Sequence, residues 1–228
     1  MTRSVVSLAE AARELEKFTG NQLTHRIASI ESGFRGRGGD ECRFANQKEG
    51  INSVLFRSAL SFKQAAGQIN VVVHAVGILL SLPYILEQNE SIQTLSLGAG
   101  NTGKGFDLET NLRVAEFKFI DWKGADSVRE NSLFKDFYRL AEDDTMRKHE
   151  LYVIRDRFPL KFLNGGRALK SVMSRHTLWT EFQKRYEKRF STVGEYYAHR
   201  KDRVTVRDLM KIVPHFVDGV FPVEACLE

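Results

Sequence analysis

Cysteine is nearly absent: two occur in 228 residues, Cys42 and Cys226, far apart near opposite ends of the chain. That spacing excludes a disulfide framework. Neither thiol has a Cys or His neighbour at zinc-finger spacing, so a structural zinc site is excluded as well. The text also lacks a secretory leader. Its start, MTRSVVSLAEAARELEKF, has an early Arg but no continuous apolar run and no small-residue cleavage site, so a reducing, cytoplasmic setting is expected. Long apolar runs are equally scarce. Only residues 69–86, INVVVHAVGILLSLPYIL, approach the length of a bilayer span. Asn70, His74, Ser81 and Pro83 interrupt that run and no second span follows, so it is expected to be a buried helix, with no membrane as partner. Charge of one sign is not dominant either. A formal charge of +5 suits a polyanionic partner without requiring one.

What is present suits one globular domain, since 42% hydrophobic residues in a chain of this length can bury a core without staples. Three stretches are expected within it: a helical N-terminal part over about 1–66, a core over about 67–160, and a helical C-terminal part over about 161–228. Residues 7–18 read as a helix, with Ser7 as cap, Glu10 three residues on, and Leu8, Ala11, Ala12 and Leu15 as its apolar stripe. SGFRGRGGDECR, residues 32–43, reads as a mobile loop, either a connector or an arm that touches phosphate. A second helix is expected over 47–64, then the apolar helix ending near Leu86. Strands follow at 91–97, 106–109 and 112–122, a helix at 127–142 and a strand at 150–154. The remainder reads as mostly helical, including a short segment around 204–217. Helix, three strands, helix and strand in that order predict an α/β architecture, a mixed central sheet flanked by helices with helical extensions at both ends.

The informative segment is GFDLETNLRVAEFKFID, residues 105–121. With Thr110 and Asn111 as a two-residue hairpin turn, side chains of one face recur at every second position. Asp107, Glu109, Glu116 and Lys118 then share one face, and Phe106, Leu108, Ala115, Phe117 and Phe119 share the other. Asp107 and Glu116 become a diagonal cross-strand pair, roughly 7–8 Å apart at the backbone. Two hard oxygen ligands of this kind suit Mg²⁺. A lysine one pleat away can neutralise charge developing on phosphorus. Charges set in text as apolar as VAEFKFI are costly to bury, which favours a functional reading over a surface hairpin with a Glu116–Lys118 ion pair.

Asp107 followed by Glu116-Phe117-Lys118 resembles the signature of the PD-(D/E)XK, or restriction-endonuclease-like, nuclease superfamily. The expected element order over residues 69–154 is similar to that superfamily's core. The resemblance implies a restriction-endonuclease-like core and a divalent ion, Mg²⁺ or Mn²⁺, held by Asp107 and Glu116. It also implies Lys118 as the assisting cation and phosphodiester hydrolysis in nucleic acid, DNA in preference to RNA because the family mostly acts on DNA. Phe106 stands where the name-giving Pro is frequent. In the RecB-like branch a helical His ahead of the sheet is a metal ligand, a role His74 could fill here; a core histidine is the other reading. That branch's Gln with Tyr four residues later is not met, since Phe134 precedes Tyr138 at that spacing.

Weaker signals surround this set. Arg129, Asn131, Lys135 and Tyr138 lie on the helix after the lysine strand and could hold a nucleic-acid backbone. Glu49 is a further acidic candidate. GAGNTGK, residues 98–104, fits the spacing of a phosphate-binding loop but is followed by Gly105 and a strand rather than Ser/Thr and a helix. An ATP-binding reading therefore ranks low, and Lys104 could instead touch a nucleic-acid phosphate. The rival to a nuclease is a non-catalytic nucleic-acid-binding or assembly module on the same fold. The sequence leaves room for a homodimer.

Overall fold

The computed structural model describes residues 7–19, 22–98, 105–122, 124, 126–173 and 176–217. The chain divides into two compact units, 1–70 and 71–228, where a single domain was expected.

In the first unit, α1 (Leu8–Thr19) starts on the expected cap. The Glu10 amide donates to Ser7 Oγ at 3.2 Å and the Ser7 amide donates back to the Glu10 carboxylate at 3.0 Å. After α2 (Leu23–Phe34), the expected mobile loop shrinks to a turn, because α3 begins at Gly39 and runs to Lys48. The Gly38 amide donates to the Glu41 carboxylate at 2.8 Å, and Asp40 and Glu41 place negative charge at the helix start. The glycines hid a helix N-terminus whose capping pattern lay two residues on. Gly50, at φ 69°, turns the chain out of α3, and Asn52 Oδ1 accepts the amides of Val54 (2.8 Å) and Leu55 (3.0 Å) to open α4.

Helix α4 covers Ser53–Ile85, 33 residues, where two shorter helices were expected. Gly67 lowers helix propensity without ending the helix. In the second unit the helix is not buried all round, which corrects the sequence reading. Ile78, Ser81 and Ile85 are buried, whereas Val72, Val76 and Leu79 are 57%, 46% and 46% exposed. Helical spacing sets these two trios on different faces, and apolar text alone cannot say which face meets the core. By length and composition α4 is long and apolar enough to cross a membrane.

The second unit is built on a five-stranded sheet of β1 (Ile92–Leu95), β2 (Leu108–Thr110), β3 (Arg113–Lys118), β4 (Lys148–Val153) and β5 (Val204–Asp208). Spatial order equals chain order. Strand β2 runs antiparallel to both β1 and β3, and β3, β4 and β5 run parallel. Parallel strands need a crossover, and α5 (Ser127–Ala141) supplies it between β3 and β4. Asp126 caps α5, accepting the amides of Val128 (3.0 Å) and Arg129 (3.1 Å). Helices α6 (Arg157–Leu163), α7 (Leu169–Val172), α8 (His176–Tyr186) and α9 (Val193–Arg200) lie between β4 and β5, and α10 (Leu209–Ile212) and α11 (Pro214–Val217) follow β5.

The expected order of helix, three strands, helix and strand is thus present as α4-β1-β2-β3-α5-β4, in an α/β fold with a mixed sheet. Strand β5 was not expected, since VTVRD was included in a helical segment. Its alternation, with Val204 buried and Thr205 exposed, was the signal available. The period-2 pattern of the strands feeds two cores. Val114, Leu151, Val153 and Val204 face α5 and the helices after β4. Leu108, Ala115, Phe117, Tyr152 and Ile154 face Ile78 and Ile85 of α4 together with Leu209, Val213 and Phe216.

Candidate active site

The β2–β3 hairpin sets the geometry. Leu108 pairs with Ala115 and Glu109 with Val114, so the two-residue turn is Asn111-Leu112, one position later than the Thr110-Asn111 pair expected. Thr110 makes it, its hydroxyl oxygen accepting the amides of Leu112 (3.0 Å) and Arg113 (2.8 Å). The register therefore differs by two from the sequence reading. An even slip keeps every side chain on its expected face. It also carries Asp107 from a diagonal position to the one directly opposite Glu116, where side chains are closest.

The two carboxyl groups lie side by side there, close enough for each to shift the other's protonation. The Phe117 amide donates to Asp107 Oδ2 at 2.9 Å, and His74 of α4 brings Nε2 to 3.3 Å from Asp107 Oδ1. Arg139 of α5 donates from Nη1 to Glu116 Oε1 at 2.9 Å and from Nη2 to the Gly105 carbonyl at 2.6 Å. Lys118 pairs with Asp136 and donates to Ser132 Oγ at 3.1 Å, both on α5. Positions 132, 136 and 139 recur at helical spacing, so one stripe of α5 covers the charged end of β3.

Electrostatics follow from this crowding. Burial raises the Glu116 pKa to about 9, with the negative charges of Asp136 and Asp107 adding to it and Arg139 opposing. Glu116 is thus held toward its protonated form beside Asp107. Burial alone would push Asp107 up too. The His74 hydrogen bond, the Phe117 amide and the His74 charge outweigh it, and Asp107 lies below its ordinary value. Lys118 is raised: burial disfavours its charge, but Asp136, through charge and hydrogen bond, with Glu116 and Asp107 behind it, wins. The ammonium is therefore secured at neutral pH.

Two carboxyl groups set side by side are a donor set a hard dication can use, because the ion replaces the proton that otherwise relieves their repulsion. Among the described residues no group of three or more His, Cys, Asp and Glu side chains is arranged to hold a metal ion. Mg²⁺ does not need one, since it commonly takes one or two carboxylates and fills its octahedron with water or phosphate. The residues present fit that mode.

The structure brings Asp107, Glu116, Lys118 and His74 together. The partner of His74 among the described residues is one of the two carboxylates expected to hold the metal. It is Asp107 itself, which the ring orients. Arg129 stands at the site's margin, bound to Asp126 at 3.2 Å, and lines a small hollow with Lys118 and Ser132. Lys135, three residues after Ser132 and four before Arg139, borders the 132–136–139 stripe, and Asn131 lies further round the helix. Tyr138 is buried against Phe182 and Tyr196 instead of facing a ligand, because the helix turns that position into the core. Glu109 pairs with Arg147 at 3.0 Å, and Glu49 belongs to the first unit, where its carboxylate lies 3.9 Å from Arg26. Lys104 lies outside the described residues, as does most of GAGNTGK; the chain beyond it enters β2, not a helix. Ser132, Asp136 and Arg139 were missed. A charged Asp136 between the core positions Phe134 and Phe137 was the signal that could have found them.

Set against family models, curated proteins and solved structures, the chain finds no match in any of the three.

Proposed function

We propose that this protein is a divalent-metal-dependent nuclease of the restriction-endonuclease-like class, hydrolysing phosphodiester bonds in DNA. One observation carries the reading: Asp107, immediately before β2, and Glu116 of β3 put their carboxyl groups together on the same face as Lys118. Asp107 and Glu116 would hold Mg²⁺ or Mn²⁺, which when bound polarises a phosphate oxygen and lowers the pKa of a bound water. The chain's own residues do the rest. Lys118, kept charged by Asp136 and aimed by Ser132, neutralises charge developing on phosphorus. His74 and the Phe117 amide fix the rotamer of Asp107. Arg139 lies against Glu116, where it favours the ionised carboxylate that a cation needs.

A non-catalytic nucleic-acid-binding or assembly module has one observation in its favour. Lys118 and Arg139 both have carboxylate partners, as a purely structural ion-pair set would require. Cleavage of labelled single- and double-stranded DNA and RNA, with and without Mg²⁺ or Mn²⁺, separates the two. The nuclease reading expects metal-dependent products from the wild-type chain and at least a hundredfold less from Glu116→Ala. Equal, metal-independent signals from both proteins would overturn it.

A further inference from the structure

Next to the candidate site is a second hollow, of about 330 Å³, that none of the proposed chemistry uses. Its wall is aromatic, formed by Trp122, Phe158 and Phe162. Trp122 and Phe162 stand 5.8 Å apart between ring centroids and are tilted by 49°. The Trp122 indole N–H is already taken by the Gly124 carbonyl, which fixes the ring and leaves it as an apolar surface. Gly166 opens one side, since a side chain there would meet nothing within 4 Å. On the rim lie Lys161, exposed, and Arg167, ion-paired with Glu130.

The position of this hollow matters as much as its lining. Trp122 also lines the small hollow that holds Lys118, Arg129 and Ser132, and the adjacent residue pair Phe158-Pro159 contributes one residue to each. One indole therefore separates the lysine of the candidate site from the aromatic hollow. The volume is at the low end for a small-ligand pocket, enough for one flat ring system and too little for a base pair. A cationic rim over an aromatic wall is the combination by which proteins hold single-stranded nucleic acid, with the backbone on the charges and the base against the rings.

We infer that the hollow bounded by Trp122, Phe158 and Phe162 takes one unpaired base of a single strand, its phosphate meeting Lys161. Glu130, held by Arg167, is the pocket's acceptor for an N–H edge of that base. The inference rests on the nuclease reading for its substrate class: a strand seated this way leads past Trp122 toward Lys118.

The test uses the full-length chain carrying Trp179→Phe, which leaves Trp122 as the sole tryptophan. Its fluorescence is titrated, in EDTA so that nothing is cut, with a five-nucleotide single-stranded oligodeoxynucleotide. The same titration is run with an abasic oligomer of equal charge and with a duplex of about twelve base pairs, long enough to stay paired. The expected result is quenching by the single strand, about tenfold tighter than by the abasic oligomer or the duplex. Phe158→Ala should abolish that preference. Lys161→Glu, at an exposed position that spares the core, should weaken binding of both single-stranded oligomers by a similar factor and leave the preference in place. Equal affinity for all three ligands, or an unchanged preference in Phe158→Ala that retains wild-type circular dichroism, overturns the inference. Failure of the nuclease reading looks different: the base-dependent quenching persists while Mg²⁺ and Mn²⁺ elicit no cleavage.

Discussion

Lys118 and Asp136 illustrate how a single pair can serve chemistry while holding structure. Asp136 is buried on α5, and Lys118, on β3, keeps only a quarter of its side chain in water. Truncating the lysine strands a carboxylate in a crowded acidic setting, at a cost of about 1–3 kcal/mol for the buried group left unpaired. Charges buried in apolar surroundings are costly, so removing them would by itself be expected to spare or even help the fold. The ion pair to Asp136 reverses that expectation for Lys118. Lys118→Ala should therefore lower both the melting temperature and metal-dependent cleavage. The double variant Lys118→Ala/Asp136→Ala should regain most of the melting temperature and none of the cleavage. Thermal denaturation and nuclease assay of the two proteins check this. A double variant no more stable than Lys118→Ala would show that the pair contributes little to the fold.

At the scale of elements, the legible parts of the fold were those with one strong period. The β2 and β3 faces could be read because a strand's alternation survives any even error of register, and the actual error was two. The exact turn position could not be read, since Thr110 closes the Asn111-Leu112 turn through its hydroxyl, a side-chain bond that the Thr-Asn pair does not advertise. The candidate carboxylates and lysine were accessible for the same reason as the faces. Their α5 partners were not, because pairing across a crossover depends on helix rotation. Helix α4 marks the opposite limit. It is apolar on several faces, so the sequence holds no amphipathic contrast to say which one meets the sheet.

That reading of α4 can be tested by substitution. Ile78 is fully buried against the sheet, and truncating it to alanine should cost about 2–5 kcal/mol, mostly through the cavity left behind. Val72 has more than half of its surface in solvent, so Val72→Gln should change stability by no more than about 0.5 kcal/mol. Urea denaturation of both variants at one protein concentration measures the contrast. A Val72→Gln protein as unstable as Ile78→Ala would mean that the exposed face is covered in solution.

Across the second unit as a whole, the end of the sheet away from Lys118 is held by a buried cation, Arg113, at the start of β3. Its guanidinium donates from Nε to Glu90 at 2.5 Å, from Nη1 to Glu150 of β4 at 2.6 Å and to the Tyr152 hydroxyl at 2.8 Å. Arg207 of β5 reaches the same Glu150 at 3.2 Å. One network thus ties the segment after α4 to three strands. Burial would raise the Glu90 pKa, but hydrogen bonds from Arg113, Thr110 and the Glu87 amide, with the Arg113 charge, bring it from 4.5 down to about 2. A carboxylate with a depressed folded pKa stabilises the fold fully above its unfolded value, and that contribution disappears as pH falls through the folded one. For Glu90 the window runs from about 4.5 to about 2. Glu90→Gln should therefore be less stable than wild type at pH 7, by about 1–3 kcal/mol, because Arg113 loses a charged acceptor. It should also lose less stability on acidification, since the group that gains a proton in the wild type is already neutral. Chemical denaturation at pH 7, 5 and 3 would show the two stability curves converging as the acid limit is approached. Parallel curves would mean that Glu90 contributes no charge to the network, and that Glu150 and Glu87 balance Arg113 at the base of the sheet.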